Sequence, residues 1–143
     1  MVIVAILGIL AVIAIPRVDY AIVRRYKAES TARKILTDLR RTRGLAIANA
    51  ATNTQGFKLM MTNPSPYYTS YEIVNEDTGT TVDSHAIDSD VLCNADGGEF
   101  KFGPRGNLLS GSGTKITLAN TDENKTFTIT VTPATGMIKY GEN

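Results

Sequence analysis

From Met1 to Ile15 no side chain is charged or polar, and Pro16 closes the run. Beyond it the pattern becomes amphipathic. Val18, Ile22, Tyr26, Ala28, Ala32, Ile35, Leu36, Leu39, Ala46, Ile47 and Ala50 recur at three- and four-residue steps, the spacing of a helix face. Ala is frequent and β-branched runs are absent between Arg24 and Arg43, which suits a helix. Glu29 and Arg33 are spaced as an i, i+4 ion pair. The pattern fades where Asn49 to Gly56 gather Asn, Thr, Gln and Gly, so the helix is expected to end near Ala51, with Gly56 in a turn. One continuous helix from the N-terminus is predicted. Pro16 removes a backbone hydrogen bond inside it, and Gly8 is a second weak point, so Gly8 to Pro16 is its loosest stretch.

From Phe57 the period shortens. Phe57 to Met61, Tyr67 to Val74, Glu99 to Phe102, Lys115 to Leu118, Thr126 to Thr132 and Met137 to Tyr140 read as strands separated by Gly, Pro and Asn turns. Phe127, Ile129 and Val131 alternate with Thr126, Thr128, Thr130 and Thr132, which predicts one buried and one wet face. The predicted fold class is α+β, a long N-terminal helix packed on a small antiparallel β-sheet head. Residues 1–53 form the helix, with 1–16 its apolar segment and 17–53 its amphipathic half; residues 54–143 form the head.

The apolar run decides the broad class. A spanning helix needs about 20 apolar residues, and this run is short. A cleaved signal would carry a basic start and a small-residue cleavage site, and Ala14-Ile15-Pro16 fits that poorly. An ordinary buried core helix remains the alternative, but an unbroken apolar run has no polar face for water. A membrane or a bundle of like helices is the better solvent.

Charge sharpens the division. Residues 17–43 carry nine Lys or Arg against three acids, a net of +6, while residues 44–143 carry six bases against eleven acids, a net of −5. Arg24, Arg25, Arg40, Arg41 and Arg43 are candidates for contacts with the acidic head of a neighbouring subunit, or else they are solvated charges. Cys93 is alone, so no intrachain disulfide can form, and it is expected to be buried.

Candidate chemistry is thin. His85 is the single histidine, expected on a surface loop, and Ser84 beside it cannot form a triad alone. Gly106 to Ser112 lacks the lysine of a phosphate-binding loop. Asp88, Asp90, Asn94, Asp96 and Glu99 offer the oxygen ligands that calcium takes, without EF-hand spacing; an acidic loop is the plainer reading. Only Tyr26 interleaves the basic run, which argues against a single-stranded nucleic acid groove. No cofactor and no enzymatic activity are expected.

Met-Val-Ile-Val-Ala-Ile-Leu-Gly-Ile-Leu-Ala-Val-Ile-Ala-Ile-Pro, with its Gly8 and Pro16 spacing, resembles the start of type IV pilins and type II secretion pseudopilins. The helix with Ala32, Asp38, Leu39, Arg40, Arg43 and Ala46 is similar to the GspH/FimT minor pseudopilins. So are Phe102-Gly103-Pro104-Arg105-Gly106, the Lys115 to Leu118 strand and Thr135-Gly136-Met137-Ile138. The resemblance implies a pilin-like fold and a structural subunit of a filament. Ile3, Ile6, Leu7, Gly8, Leu10, Val12, Ile13, Ile15 and Pro16 would form the membrane segment and then the filament core. It implies other copies and other pilins as partners, along with the inner membrane, a prepilin peptidase and an assembly machinery. It also implies residence in a bacterial inner membrane before assembly, then in a surface filament or periplasmic pseudopilus. The methylated Phe and the assembly Glu of that family would lie upstream of Met1. The alternative is a minor subunit that binds DNA or acts at a filament tip. The DNA-binding relatives carry arginine in the tail after the last Gly, and Gly136-Met137-Ile138-Lys139-Tyr140 has none.

Overall fold

The computed structural model describes residues 20–121 and 125–143. The expectations for Met1 to Pro16, including its helix and the loose Gly8 to Pro16 stretch, lie outside the described residues. Helix α1 runs Tyr20–Ala48 and is followed by β1 (Phe57–Thr62), β2 (Ser70–Asn75), β3 (Thr81–Ala86), β4 (Val91–Ala95), β5 (Glu99–Phe102), β6 (Lys115–Asn120), β7 (Thr126–Thr132) and β8 (Met137–Glu142). The strands form two antiparallel four-stranded sheets, in the orders β3-β2-β1-β5 and β4-β6-β7-β8. The α+β layout expected from the pattern is present, with two sheets in the head. Among the described residues no helix is long and apolar enough to cross a membrane.

One face of α1 is closed by Ala28, Ala32, Ile35, Leu39 and Ala46, all fully buried. The three alanines let the helix backbone approach both sheets closely. The packing partners include Leu59, Phe100 and Phe102 from one sheet and Ile116, Leu118, Phe127 and Ile129 from the other, all in a single core with the helix. Fully burying one such Phe or Leu contributes about 1.5–3 kcal/mol. The alternation read from β7 holds: Phe127, Ile129 and Val131 are buried and the four threonines face outward.

Two boundaries shift by three residues from the sequence pattern, and two strands were not foreseen. The helix ends at Ala48, because Asn49 and Asn53 close its last turn through Asn49 N–H to Leu45 O and Asn53 N–H to Asn49 O. The second strand starts at Ser70 rather than Tyr67; after Pro64 and Pro66 the Tyr68 amide bonds across to Cys93 O at 2.9 Å instead of joining a neighbour in its own sheet. Strand β3 escapes detection because it is an edge strand with no buried residue and no large apolar side chain besides Val82. Strand β4 is hidden among acids, although Val91 and Cys93 are buried. Gly56 is a turn residue as expected: its φ is +84° and an added Cβ would lie 2.0 Å from Phe102 O.

Cys93 is fully buried. Burial pushes its thiol up from 9.0 to about 12. The thiolate is the reactive form. Alkylation of the native chain at pH 8 should therefore be slow, and fast once denaturant is added. Rapid labelling without denaturant would place β4 outside the core.

Candidate functional site

Helix α1 presents two kinds of surface. Its N-terminal end leaves Tyr20 72%, Ile22 51% and Tyr26 66% exposed, with Val23 exposed beside them. Ile22 and Tyr26 are one helical turn apart and share a face. Val23, Tyr26, Lys27, Ser30, Thr31 and Asp88 line an open groove of about 400 Å³ at this end. The exposed Tyr20, Ile22, Val23 and Tyr26 side chains are a candidate interaction surface. The apolar run Met1 to Ile15 leads directly into it along the chain.

The rest of the helix is fastened to the head by charge. Arg25 reaches Glu142 of β8 at 2.9 Å. Lys27 pairs with Asp90 at 2.7 Å and Asp88 at 3.1 Å. Arg41 meets Asp83 of β3 at 2.6 Å. Arg43 donates from Nε to Gly106 O at 3.0 Å and from NH2 to Thr135 O at 3.2 Å. Within the chain, Arg25 and Arg41 thus pair with acids of the head and Arg43 with two of its backbone carbonyls. Arg24 is half-buried and has an interaction of its own. Arg40 is exposed. The Arg33–Glu29 pair foreseen from spacing is formed at 2.6 Å. All these exposed pairs fix orientation more than they add stability.

The five oxygen ligands are dispersed. Asp88 and Asp90 face Lys27. The Asp90 amide, then Lys27, hold the Asp88 carboxyl below its ordinary range. Asn94 Oδ1 accepts from the Ala95 amide. Asp96 accepts from the amides of Thr114 and Lys115 and from the Thr114 hydroxyl. Burial pushes the Asp96 carboxyl up, and these donors outweigh it and hold it low. Glu99 lies 3.1 Å from Lys101 and 3.6 Å from Lys58. Among the described residues no three Asp, Glu, His or Cys groups are arranged to hold a metal.

A polar cluster that the sequence reading missed sits where α1 crosses the first sheet. Asp38 lies in the buried helix stripe, 6% exposed. Its Oδ2 accepts from the Tyr71 hydroxyl at 2.6 Å. Burial and then this bond push the Tyr71 hydroxyl well above its ordinary value of 10.0. His85 is not on a loop but on β3, because the polar run around it pairs with β2 as an edge strand. Its ring lies 5.4 Å from that of Tyr71. Its Nδ1 is 3.1 Å from Lys34 Nζ, and its Nε2 is 3.4 Å from Asp83 and 3.6 Å from Asp38. The Arg41 guanidinium holds the Asp83 carboxyl below the usual range. Successive strand residues point to opposite faces, so Ser84 and His85 do not converge. The overlooked signal was periodicity: Asp38 stands in register with Ile35, Leu39 and Thr42, and an acid in that stripe needs a donor.

Comparison with known proteins finds no matching family model, no matching curated protein and no matching solved structure.

Proposed function

We propose that the chain is a structural subunit, a pilin or pseudopilin, of a type IV pilus-like filament. The observation that carries this reading is where apolar surface is left open. Tyr20, Ile22, Val23 and Tyr26 are exposed at the end of α1 that adjoins the apolar run, while further along the helix Ala28, Ala32, Ile35, Leu39 and Ala46 are buried against the head and Ile47 is exposed. The helix would be stored in the inner membrane and then moved into a filament core, where neighbouring helices replace lipid. Apolar surface stays away from water in both places, so the transfer costs little. The filament would be displayed on the cell surface or in the periplasm. The DNA-binding alternative gains less support, since Arg41 and Arg43 at the basic end of the helix are engaged within the chain.

Deleting Met1 to Ile15 should move the chain from the membrane fraction into solution as a folded monomer. Fractionation followed by sizing reads this. A truncated chain that stays with membranes, or still assembles, would contradict the division into anchor and head.

A further inference from the structure

Strand β3 is the edge of its sheet and pairs through its backbone with β2 alone. Side chains fasten it to α1. Arg41 and Asp83 make one tie, at 2.6 Å. His85 makes another, and charged groups surround its ring. Lys34 and Asp38 come from α1, with Arg41 of the same helix standing behind Asp83. Asp83 comes from β3 itself, two residues away on the same face, and Tyr71 of β2 places its ring alongside. The partners decide which nitrogen of the neutral ring carries the proton. An ammonium group has donors and no acceptor. Lys34 Nζ, 3.1 Å from Nδ1, therefore donates, and Nδ1 accepts. The ring proton is then on Nε2, which lies 3.4 Å from Asp83 and 3.6 Å from Asp38. Both distances are long for a hydrogen bond.

A second proton changes both sides of the ring. Nδ1 loses its lone pair and becomes a donor that faces an ammonium group. Nε2–H becomes part of a cation set between two carboxylates. Lys34 is exposed on a flexible stem and can turn into water. Asp38, 6% exposed, cannot follow it. The Arg41 guanidinium holds the Asp83 carboxyl below the usual range, so Asp83 stays ionised at about pH 5. We infer that His85 is a proton-operated latch between β3 and α1: neutral, it holds Lys34; charged, it releases Lys34 and closes on Asp38 and Asp83. Histidine is the side chain suited to this, since it changes charge between about pH 5 and pH 8. The tie to the helix moves by one turn, from Lys34 to Asp38. Asp38 gains a charged donor beside the Tyr71 hydroxyl. The edge strand is thus fastened through an exposed ammonium in one state and through a buried carboxylate in the other. The latch is built from the head and its own helix and does not depend on the filament reading.

The test uses the full chain in detergent at about pH 8 and about pH 5. Nitrogen chemical shifts of the His85 ring should show a neutral form protonated on Nε2 at the higher pH. Cross-relaxation between Lys34 and the ring should be present there and lost at the lower pH. Urea unfolding gives an independent readout. Tyr71→Phe strips Asp38 of its hydroxyl donor, and charged His85 replaces that donor. The folding constant lost to Tyr71→Phe, measured against the parent chain at each pH, should be about tenfold smaller at the lower pH. In a His85→Gln background the two losses should be equal, because glutamine does not titrate. A neutral ring protonated on Nδ1, a Lys34 contact that survives at the lower pH, or a Tyr71→Phe loss equal at both would overturn the inference.

Discussion

Gly136→Val should cost about 2–5 kcal/mol of folding stability, the sum of backbone strain and a steric clash. Gly136 has φ +62°, a conformation that a β-branched residue adopts only under strain. A Cβ there would stand 1.8 Å from Gly106 O and 3.1 Å from Arg43 Nε. The clash falls on backbone and on the guanidinium that draws the Gly106 and Thr135 carbonyls to the helix. Those atoms cannot simply rotate away. Gly79 separates the two contributions: its φ is +69°, yet a Cβ there would meet nothing within 4 Å. Gly79→Val should therefore show only the strain, about 1–2 kcal/mol. Thermal and urea unfolding of both variants measures the difference. Equal losses would mean that the two loops do not meet beneath Arg43.

Tyr71→Phe should cost about 2–3 kcal/mol, because it leaves the buried Asp38 carboxylate without its hydroxyl donor. The remaining neighbour, His85 Nε2 at 3.6 Å, is too distant for a good hydrogen bond. Asp38→Asn removes the charge that needs the donor. In that background Tyr71→Phe should cost only about 1 kcal/mol. The non-additivity in a double-mutant cycle is the direct readout of the pair. The pH dependence has a definite sign. The folded-state value of Tyr71 is raised, so its contribution is present below the unfolded value of 10.0 and is lost as pH rises above it. Cys93, raised from 9.0 to about 12, acts in the same direction from pH 9 upward. Tyr71→Phe should flatten the alkaline fall, and an unchanged profile would rule out the buried contact.

Long, strongly periodic segments were legible from the chain. The stripe from Ala28 to Ala46 and the alternation in β7 are set by residue type alone, and the structure uses both. Two kinds of feature were not legible. Strand β3 is an edge strand paired with β2 alone, and none of its residues is buried to mark it in the sequence. The acids from Asp88 to Glu99 looked like a ligand cluster only because they are near in sequence. Strand β4 separates them in space and gives each its own partner. The basic helix suffered the same ambiguity. Its charge excess was plain, but composition cannot say whether Asp83 and Glu142 of the same head or of a neighbour will answer Arg41 and Arg25.

The most direct measurement of the filament proposal is cross-linking along the open end of α1. Cysteine would be placed singly at Tyr20, Ile22 and Tyr26 in a Cys93→Ala background, and the full chain oxidised in the cells that make it. Pairs of singly placed cysteines give dimers, and doubly substituted Tyr20→Cys with Ile22→Cys, two residues apart and so on nearly opposite sides of the helix, gives longer chains only if each helix has neighbours on more than one side. The expected result is dimers from the single variants and a ladder of covalent oligomers from the double one, with Thr130→Cys on the outer sheet face remaining monomeric. Monomers from every helix variant, or cross-linking no greater than at Thr130, would contradict packing of these helices against one another.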